Sequence, residues 1–284
     1  MGTEKRERQK ANRQARLAEL ERDQKRSHVR KRVIRIGLIV IVALAAAFGL
    51  SRLIGGGNDS VDATDTSASG TTIAGTIPGE APSTPPTVPG KTLTGATPCP
   101  AVDGSSARVS KFAQPPPMCI DTAKTYTAVV DTDRGSFTVA LDAKKAPATV
   151  NNFVVLSRYH FYDGLIFHRI EPGFVVQGGD PKANGSGGPG YTVVEKPPSD
   201  LKYWHGVVAM AKSATEPDGA SGSQFFVVTA QDADLPTQYA LLGRIVRGLE
   251  VTDTIGLVPL QDPSSRDGPP AEPIVIESAR LTSH

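Results

Sequence analysis

The amino-acid sequence predicts a mainly β fold: a closed eight-stranded antiparallel barrel capped by two helices, preceded by one transmembrane helix and a disordered linker. Three observations carry that expectation. From Tyr126 onward, short apolar alternations recur between turn signals, the period-2 pattern of half-buried strands. Ahead of them lies a single long apolar run. Between the two is a segment with almost no large apolar side chain, which cannot bury a core.

The 284-residue chain opens on a basic head, residues 1–32, with twelve Lys/Arg against five Asp/Glu. The remainder holds nineteen against twenty-four, so the overall +2 hides a strong asymmetry. The head is rich in Glu, Lys, Arg, Gln and Ala, the composition of a solvated helix with i,i+4 ion pairs. Such charge suits nucleic acid or an anionic membrane surface. No aromatic or fold motif for nucleic acid accompanies it, and the apolar run directly after the head favours the membrane.

Residues 33–54 read VIRIGLIVIVALAAAFGLSRLI, uninterrupted from Ile36 to Leu50. As a helix this run spans about 33 Å, enough for a bilayer core of about 30 Å. Arg35 and Arg52 stand where long side chains snorkel to headgroups. A buried core helix would carry polar residues along one face, and none appear. A cleaved signal peptide competes, since Ala43-Leu44-Ala45 resembles a cleavage site, but the basic region is long and the site comes early in the run. Positive charge before the span and Asp59, Asp62 and Asp65 after it keep the N-terminus cytoplasmic. The expectation is a single-pass protein of the cell membrane with its main domain outside.

Residues 55–98 are read as a disordered Pro/Ser/Thr/Gly linker, and 99–125 as a Pro-rich segment bounded by Cys99 and Cys119. These are the only cysteines. Outside the cytoplasm, two cysteines twenty apart favour a disulfide over two unpaired thiols. A metal site is poorer still, for no His or further Cys stands at ligand spacing.

The domain expected over 126–284 begins with strands Tyr126–Asp131 and Ser136–Asp142 around a hairpin turn at Thr132-Asp133-Arg134-Gly135. Pro147 suits a helix N1 position, and Val150, Phe153, Val154 and Ser157 make one face of a helix to Arg158. Strand-like runs come next at Leu165–Ile170, Phe174–Gln177, Tyr191–Val194, Gly206–Ala211, Gln224–Thr229 and Tyr239–Val246. A short helix at Leu249–Ile255 and a strand at Ile274–Leu281 complete the pattern, which fits a capped barrel.

The literal text narrows the choice among β barrels. Phe167-His168-Arg169-Ile170-Glu171-Pro172-Gly173-Phe174-Val175-Val176-Gln177-Gly178-Gly179-Asp180 resembles the cyclophilin signature around its catalytic arginine. Gly222-Ser223-Gln224-Phe225-Phe226 is similar to the family's second signature. Val208-Ala209-Met210-Ala211 and the glycine-rich Asn184–Gly188 stand in the matching order. The resemblance covers about 157 residues and excludes the head, span, linker and cysteine segment.

What the resemblance implies is a peptidyl-prolyl cis-trans isomerase acting on proline-containing polypeptides, and the expected topology makes those secreted or cell-envelope proteins. Arg169, Gln177, Phe174 and Phe226 would be catalytic. His168, Val175, Ala211, Lys212, Gln224, Leu235 and Tyr239 would contact substrate. Arg169 would donate to the prolyl nitrogen as it becomes pyramidal, so no metal, cofactor, base or nucleophile is needed. Asp234 stands where the family has a Trp that packs on cyclosporin, so weak cyclosporin binding is expected. Lys212, Tyr239 and Val175 are further departures, from Asn, His and Met.

Blander roles compete for these residues. A Phe on a strand is more often core than pocket, and a lone His near an aromatic is usually structural. The glycine stretch lacks the Gly-Lys-Ser/Thr of a phosphate loop, and no nucleophile elbow supports a hydrolase. A module that only captures Pro-containing segments is the rival class, but such a binder would not need the arginine.

Overall fold

The computed structural model describes residues 89–284; the basic head, the apolar run 33–54 and linker residues 55–88 lie outside the described residues. Among the described residues no helix is long and apolar enough to cross a membrane. Within residues 89–98, expected as the end of the linker, lies a strand. β1 (Lys91–Leu93) pairs in parallel with β2 (Val109–Phe112), and residues 89–125 together form a strap. A disulfide joins Cys99 to Cys119. The Asn151 side chain grips the same place: Oδ1 accepts from the Cys119 N–H at 2.7 Å, and Nδ2 donates to the Pro117 carbonyl at 2.9 Å. Val109, Phe112 and Ile120 are buried in the main core. The Phe112 ring packs on Tyr159, Phe161 and Tyr191, so the Pro-rich segment bounded by the cysteines is part of the core.

The rest of the chain keeps to the period-2 pattern closely. β3 (Tyr126–Thr132) and β4 (Gly135–Leu141) form the hairpin, and α1 (Pro147–Arg158) starts on its proline. The missing N–H of Pro147 is one that no helix would satisfy there. The Ala148 and Thr149 N–H groups donate to the Glu195 carboxylate, at 3.1 and 2.8 Å, placing a negative charge at the positive helix end. Then come β5 (Phe167–Glu171), β6 (Val175–Gly178), β7 (Val193–Val194), β8 (Val207–Met210), β9 (Ala220–Ser221), β10 (Phe225–Val228), β11 (Leu241–Arg247), α2 (Leu249–Gly256) and β12 (Ile276–Ser283). The run expected at Tyr191–Val194 narrows to β7, which pairs with β9 outside the main sheet. The helix expected to bury one face buries every residue from Thr149 to Arg158, because the strap covers the side that the sheet leaves bare.

Eight strands form one antiparallel sheet in the order β12-β3-β4-β11-β8-β10-β6-β5. The expected closed barrel is corrected here: the sheet curls into an open half-barrel whose edges are β12 and β5. These edges meet at one corner only, where Phe167 N–H reaches the Ile274 carbonyl and Ile276 N–H the Leu165 carbonyl. Further along the short β5, Ile170 exchanges both backbone hydrogen bonds with Gly268, at 2.8 and 3.0 Å. A loop, not a strand ladder, therefore fills the seam.

Alternation along the central strands builds two apolar clusters on opposite faces. Phe225 and Val227 of β10 and Val208 and Met210 of β8 join the main core under α1. Phe226, Val228, Val207 and Ala209 join a second cluster with Val175, Tyr203 and Leu241. The candidate site lies on that second face.

Candidate active site

A β-bulge aims the arginine. Across β5 and β6, Phe167 faces Gly178 while Arg169 faces Gln177, so His168 is an extra residue in the pairing. Phe167 and Ile170 can then both point into the main core, and Arg169 turns to the opposite face, half-buried. Its fork is fixed by two carboxylates: Nε donates to Asp267 Oδ2 at 2.6 Å, and Nη2 to Glu171 Oε2 at 2.9 Å. Nη1 reaches Gln177 Oε1 at a weak 3.5 Å. Among the described residues these bonds use three of the five N–H groups, leaving one on each terminal nitrogen.

Beside the guanidinium stands an aromatic cluster. Phe226 meets Tyr239 edge-on at 5.3 Å between centroids and Tyr203 at 6.3 Å. Tyr203, fully buried, donates its hydroxyl to the Tyr239 carbonyl at 2.8 Å and accepts from the Tyr239 N–H at 3.0 Å, fixing that residue at both ends. Burial pushes the Tyr239 phenol above its ordinary pKa, with Arg169 pulling the other way, so it stays neutral near pH 7. Phe174 and Leu235, half-buried, pack on the same cluster, and Val175 closes it from β6.

Beside this cluster a polar relay runs into a groove of about 500 Å³. Gln177 Nε2 donates to Gln224 Oε1 at 2.9 Å, and Gln224 Nε2 donates to the Gly185 and Gly187 carbonyls. The glycine-rich loop is shaped by Asp180, fully buried, whose carboxylate accepts the N–H groups of Lys182, Asn184 and Gly185 at 2.6–3.1 Å. A Cβ on Gly187 would fall 1.8 Å from Asp180 Oδ1, so only glycine fits there. Ala211, Lys212 and Gln224 line the groove together with Lys111 of the strap.

A family model described as cyclophilin type peptidyl-prolyl cis-trans isomerase/CLD matches residues 127–281. The chain belongs to this family. Peptidyl-prolyl cis-trans isomerase A of Dickeya dadantii is 38% identical over 169 residues, covering 56% of this chain and 86% of that protein. Isomerase B of Streptomyces anulatus is 34% identical over 174 residues, covering 55% and 96%. A crystal structure of a Cryptosporidium parvum cyclophilin superposes with a TM-score of 0.50 at 31% identity, covering 56% of this chain and 99% of that one. The same protein has a structure in the presence of the dipeptide Ala-Pro. The present cyclophilin is a peptidyl-prolyl cis-trans isomerase.

The geometry of this cyclophilin brings Arg169, Gln177, Phe226, Tyr239 and Gln224 together, with Phe174, Val175 and Leu235 in the apolar wall. His168 is not among them. It is buried, 6% exposed, and neither ring nitrogen has a hydrogen-bond partner. Burial depresses its pKa, Asp180 opposing and Arg169 adding to the shift, so the expected pocket-rim contact is a core residue on the bulge. The Lys212 ammonium is turned back onto the Glu216 carbonyl at 3.1 Å and lies 3.9 Å from Asp218. Asp267, Glu171 and Tyr203 join the site beyond the residues expected from the sequence. Glu171 carried a signal, because residues two apart on a strand share a face. Asp267 lies 98 residues from the arginine in a Ser/Asp/Gly/Pro loop and carried none.

Proposed function

We propose that this isomerase acts on prolyl bonds of secreted or cell-envelope proteins, with Arg169 as the group that lowers the barrier. Rotation about an X–Pro bond is slow because amide resonance gives the C–N bond double-bond character, a barrier of about 18–20 kcal/mol. A donor to the prolyl nitrogen localises its lone pair in the twisted state, where resonance is lost. A charge-assisted bond made only there supplies about 3 kcal/mol, or roughly a hundredfold in rate.

The observation that carries this reading is the pinning of Arg169 by Asp267 and Glu171 next to the Phe226–Tyr239 rings. The carboxylates fix the direction of the fork, though they also offset its charge. Phe174, Val175, Phe226, Leu235 and Tyr239 would hold the proline ring. Gln177 would take a substrate carbonyl, and Gln224, Ala211 and the Lys212 backbone would hold the peptide. The acyl side would then turn while the ring stays fixed.

The membrane side of the proposal rests on the 33–54 run and its flanking charges. It makes the chain a single-pass protein with residues 1–32 cytoplasmic and the isomerase domain outside. With Asp234 where an indole would pack, cyclosporin would bind weakly.

Arg169→Ala tests the mechanism. In a protease-coupled assay its kcat/KM should fall at least about a hundredfold, with the fold unchanged. A folded variant that keeps most of its turnover would sink the arginine role. An unmodified domain that binds prolyl peptides without turnover would instead leave only a capture module.

A further inference from the structure

A second groove, of about 510 Å³, opens between the end of β4, residues 201–207 and the start of β11. It shares no lining residue with the active-site groove. Lys124, Lys144, Lys145, Lys202 and Arg244 line it against one carboxylate, Asp142. Asp142 lies 3.8 Å from the Lys145 ammonium, and among the described residues no other ion pair involves these five cations. Residues 89–284 carry seventeen Lys/Arg against twenty Asp/Glu, so this positive patch stands on a domain of net negative charge. Trp204 lines the same groove, 54% exposed, while its neighbour Tyr203 is buried in the second apolar cluster.

A cluster of cations that outnumbers its counter-charges, here five against the one carboxylate of Asp142, raises the local potential and attracts polyanions. An exposed indole among them narrows the class. Trp is favoured at membrane interfaces, where its ring sits at headgroup depth, and lysines beside it attract anionic lipid. Single-stranded nucleic acid would call for several stacking rings along a track, and this groove has one.

We infer that this groove docks on the anionic phospholipid headgroups of a bilayer, with the lysines on phosphate and Trp204 at the interface. The inference rests on the proposed anchor at 33–54, which would keep the domain near a membrane so that weak contacts suffice. Docking would fix which way the domain faces on that surface.

Trp204 is the chain's sole tryptophan, so its fluorescence reports on the groove alone. The full chain is reconstituted with vesicles of phosphatidylcholine, and with an equal mixture of phosphatidylcholine and phosphatidylglycerol. Flotation with the first reads the anchor. On the mixture, emission should shift to the blue and acrylamide quenching should fall roughly twofold, as an indole at an interface is shielded on one side. Salt should reverse both changes. On phosphatidylcholine alone neither should change. Lys144→Glu/Lys145→Glu/Lys202→Glu should abolish the shift yet float and isomerise normally, and the matching triple Arg variant should keep it.

An unchanged emission on the mixture, from a chain that floats with both, overturns the docking and spares the anchor. An equal shift on both compositions overturns it as well, since charge then plays no part. So does a shift of the same size from single-stranded RNA or inorganic polyphosphate without vesicles. A chain that fails to float with phosphatidylcholine but still shifts on the mixture refutes the anchor and supports the groove.

Discussion

Phe225 and Phe226 stand side by side on β10, 2% and 4% exposed, and burial alone would rank them as equals. Their surroundings differ. Phe225 faces inward, edge-on to Phe153, Tyr162 and Phe167 at about 6 Å, under a helix that seals that side. Phe226 faces the other way, toward Tyr239 and Tyr203, and its roof is made of half-buried residues such as Phe174 and Leu235. An aromatic becomes a ligand surface when what covers it can part. The closure of each cluster, more than the apolar content of the strand, separates core from pocket.

Four measurements put this contrast at risk. The largest effect belongs to the sealed side. Phe225→Ala should lower unfolding free energy by about 3–5 kcal/mol, since neighbouring rings cannot collapse into the gap. Activity per folded molecule should hold, and a denaturant titration with active-site counting checks both. Phe226→Ala should do the reverse: kcat/KM falls roughly thirtyfold, about 2 kcal/mol, with a smaller loss of stability. If the two variants lose stability and turnover in equal measure, the distinction fails.

Asp234 sits on the open side between Ala233 and Leu235, both packed on the second cluster. Asp234→Trp should tighten cyclosporin inhibition roughly tenfold. A Trp-sized hot-spot contact of about 2–4 kcal/mol is reduced by about 1–2 kcal/mol, because the backbone there is left-handed, with φ of 48°. Tight inhibition of the unmodified protein would remove Asp234 from the cyclosporin-facing rim.

The smallest effect tests His168. Its folded-state pKa is depressed by burial, so the unfolded chain takes up the proton first. The stability it contributes is complete above the ordinary histidine value of about 6.5 and is lost as pH falls below it, at no more than about 1.4 kcal/mol per pH unit. Melting temperature should therefore drop from pH 7 to pH 5, less so in His168→Leu, while kcat/KM shows no histidine titration. A titration of kcat/KM that vanishes in His168→Leu would return the residue to the pocket rim.

Much of this architecture was readable from residue order alone. The hairpin at Thr132–Gly135, the helix from Pro147 and the alternation of Phe225 with Phe226 are local, and local patterns survive in one dimension. The motif around Arg169 carried the family. What stayed hidden needed distant partners. The bulge at His168 exists only against β6, so its ring read as rim when it is core. The count of strand-like runs suggested closure, but whether β5 meets β12 depends on where a long loop lies. Asp267 reaches Arg169 from that loop without any sequence cue.

The strap illustrates a different kind of boundary. The Phe112 N–H donates to the Pro189 carbonyl at 2.8 Å, and its own carbonyl comes so near Gly190 that a Cβ there would lie 2.3 Å away. A segment beyond the family match thus buttresses the loop that forms the substrate groove. Excising the domain at the family limit, Thr127, would strip Phe112 from Tyr159, Phe161 and Tyr191 and leave the glycine loop unsupported. The transplantable unit is therefore longer than the recognisable one, and a chimera that carries this catalytic body into another protein has to take β1, β2 and the disulfide-closed strap with it.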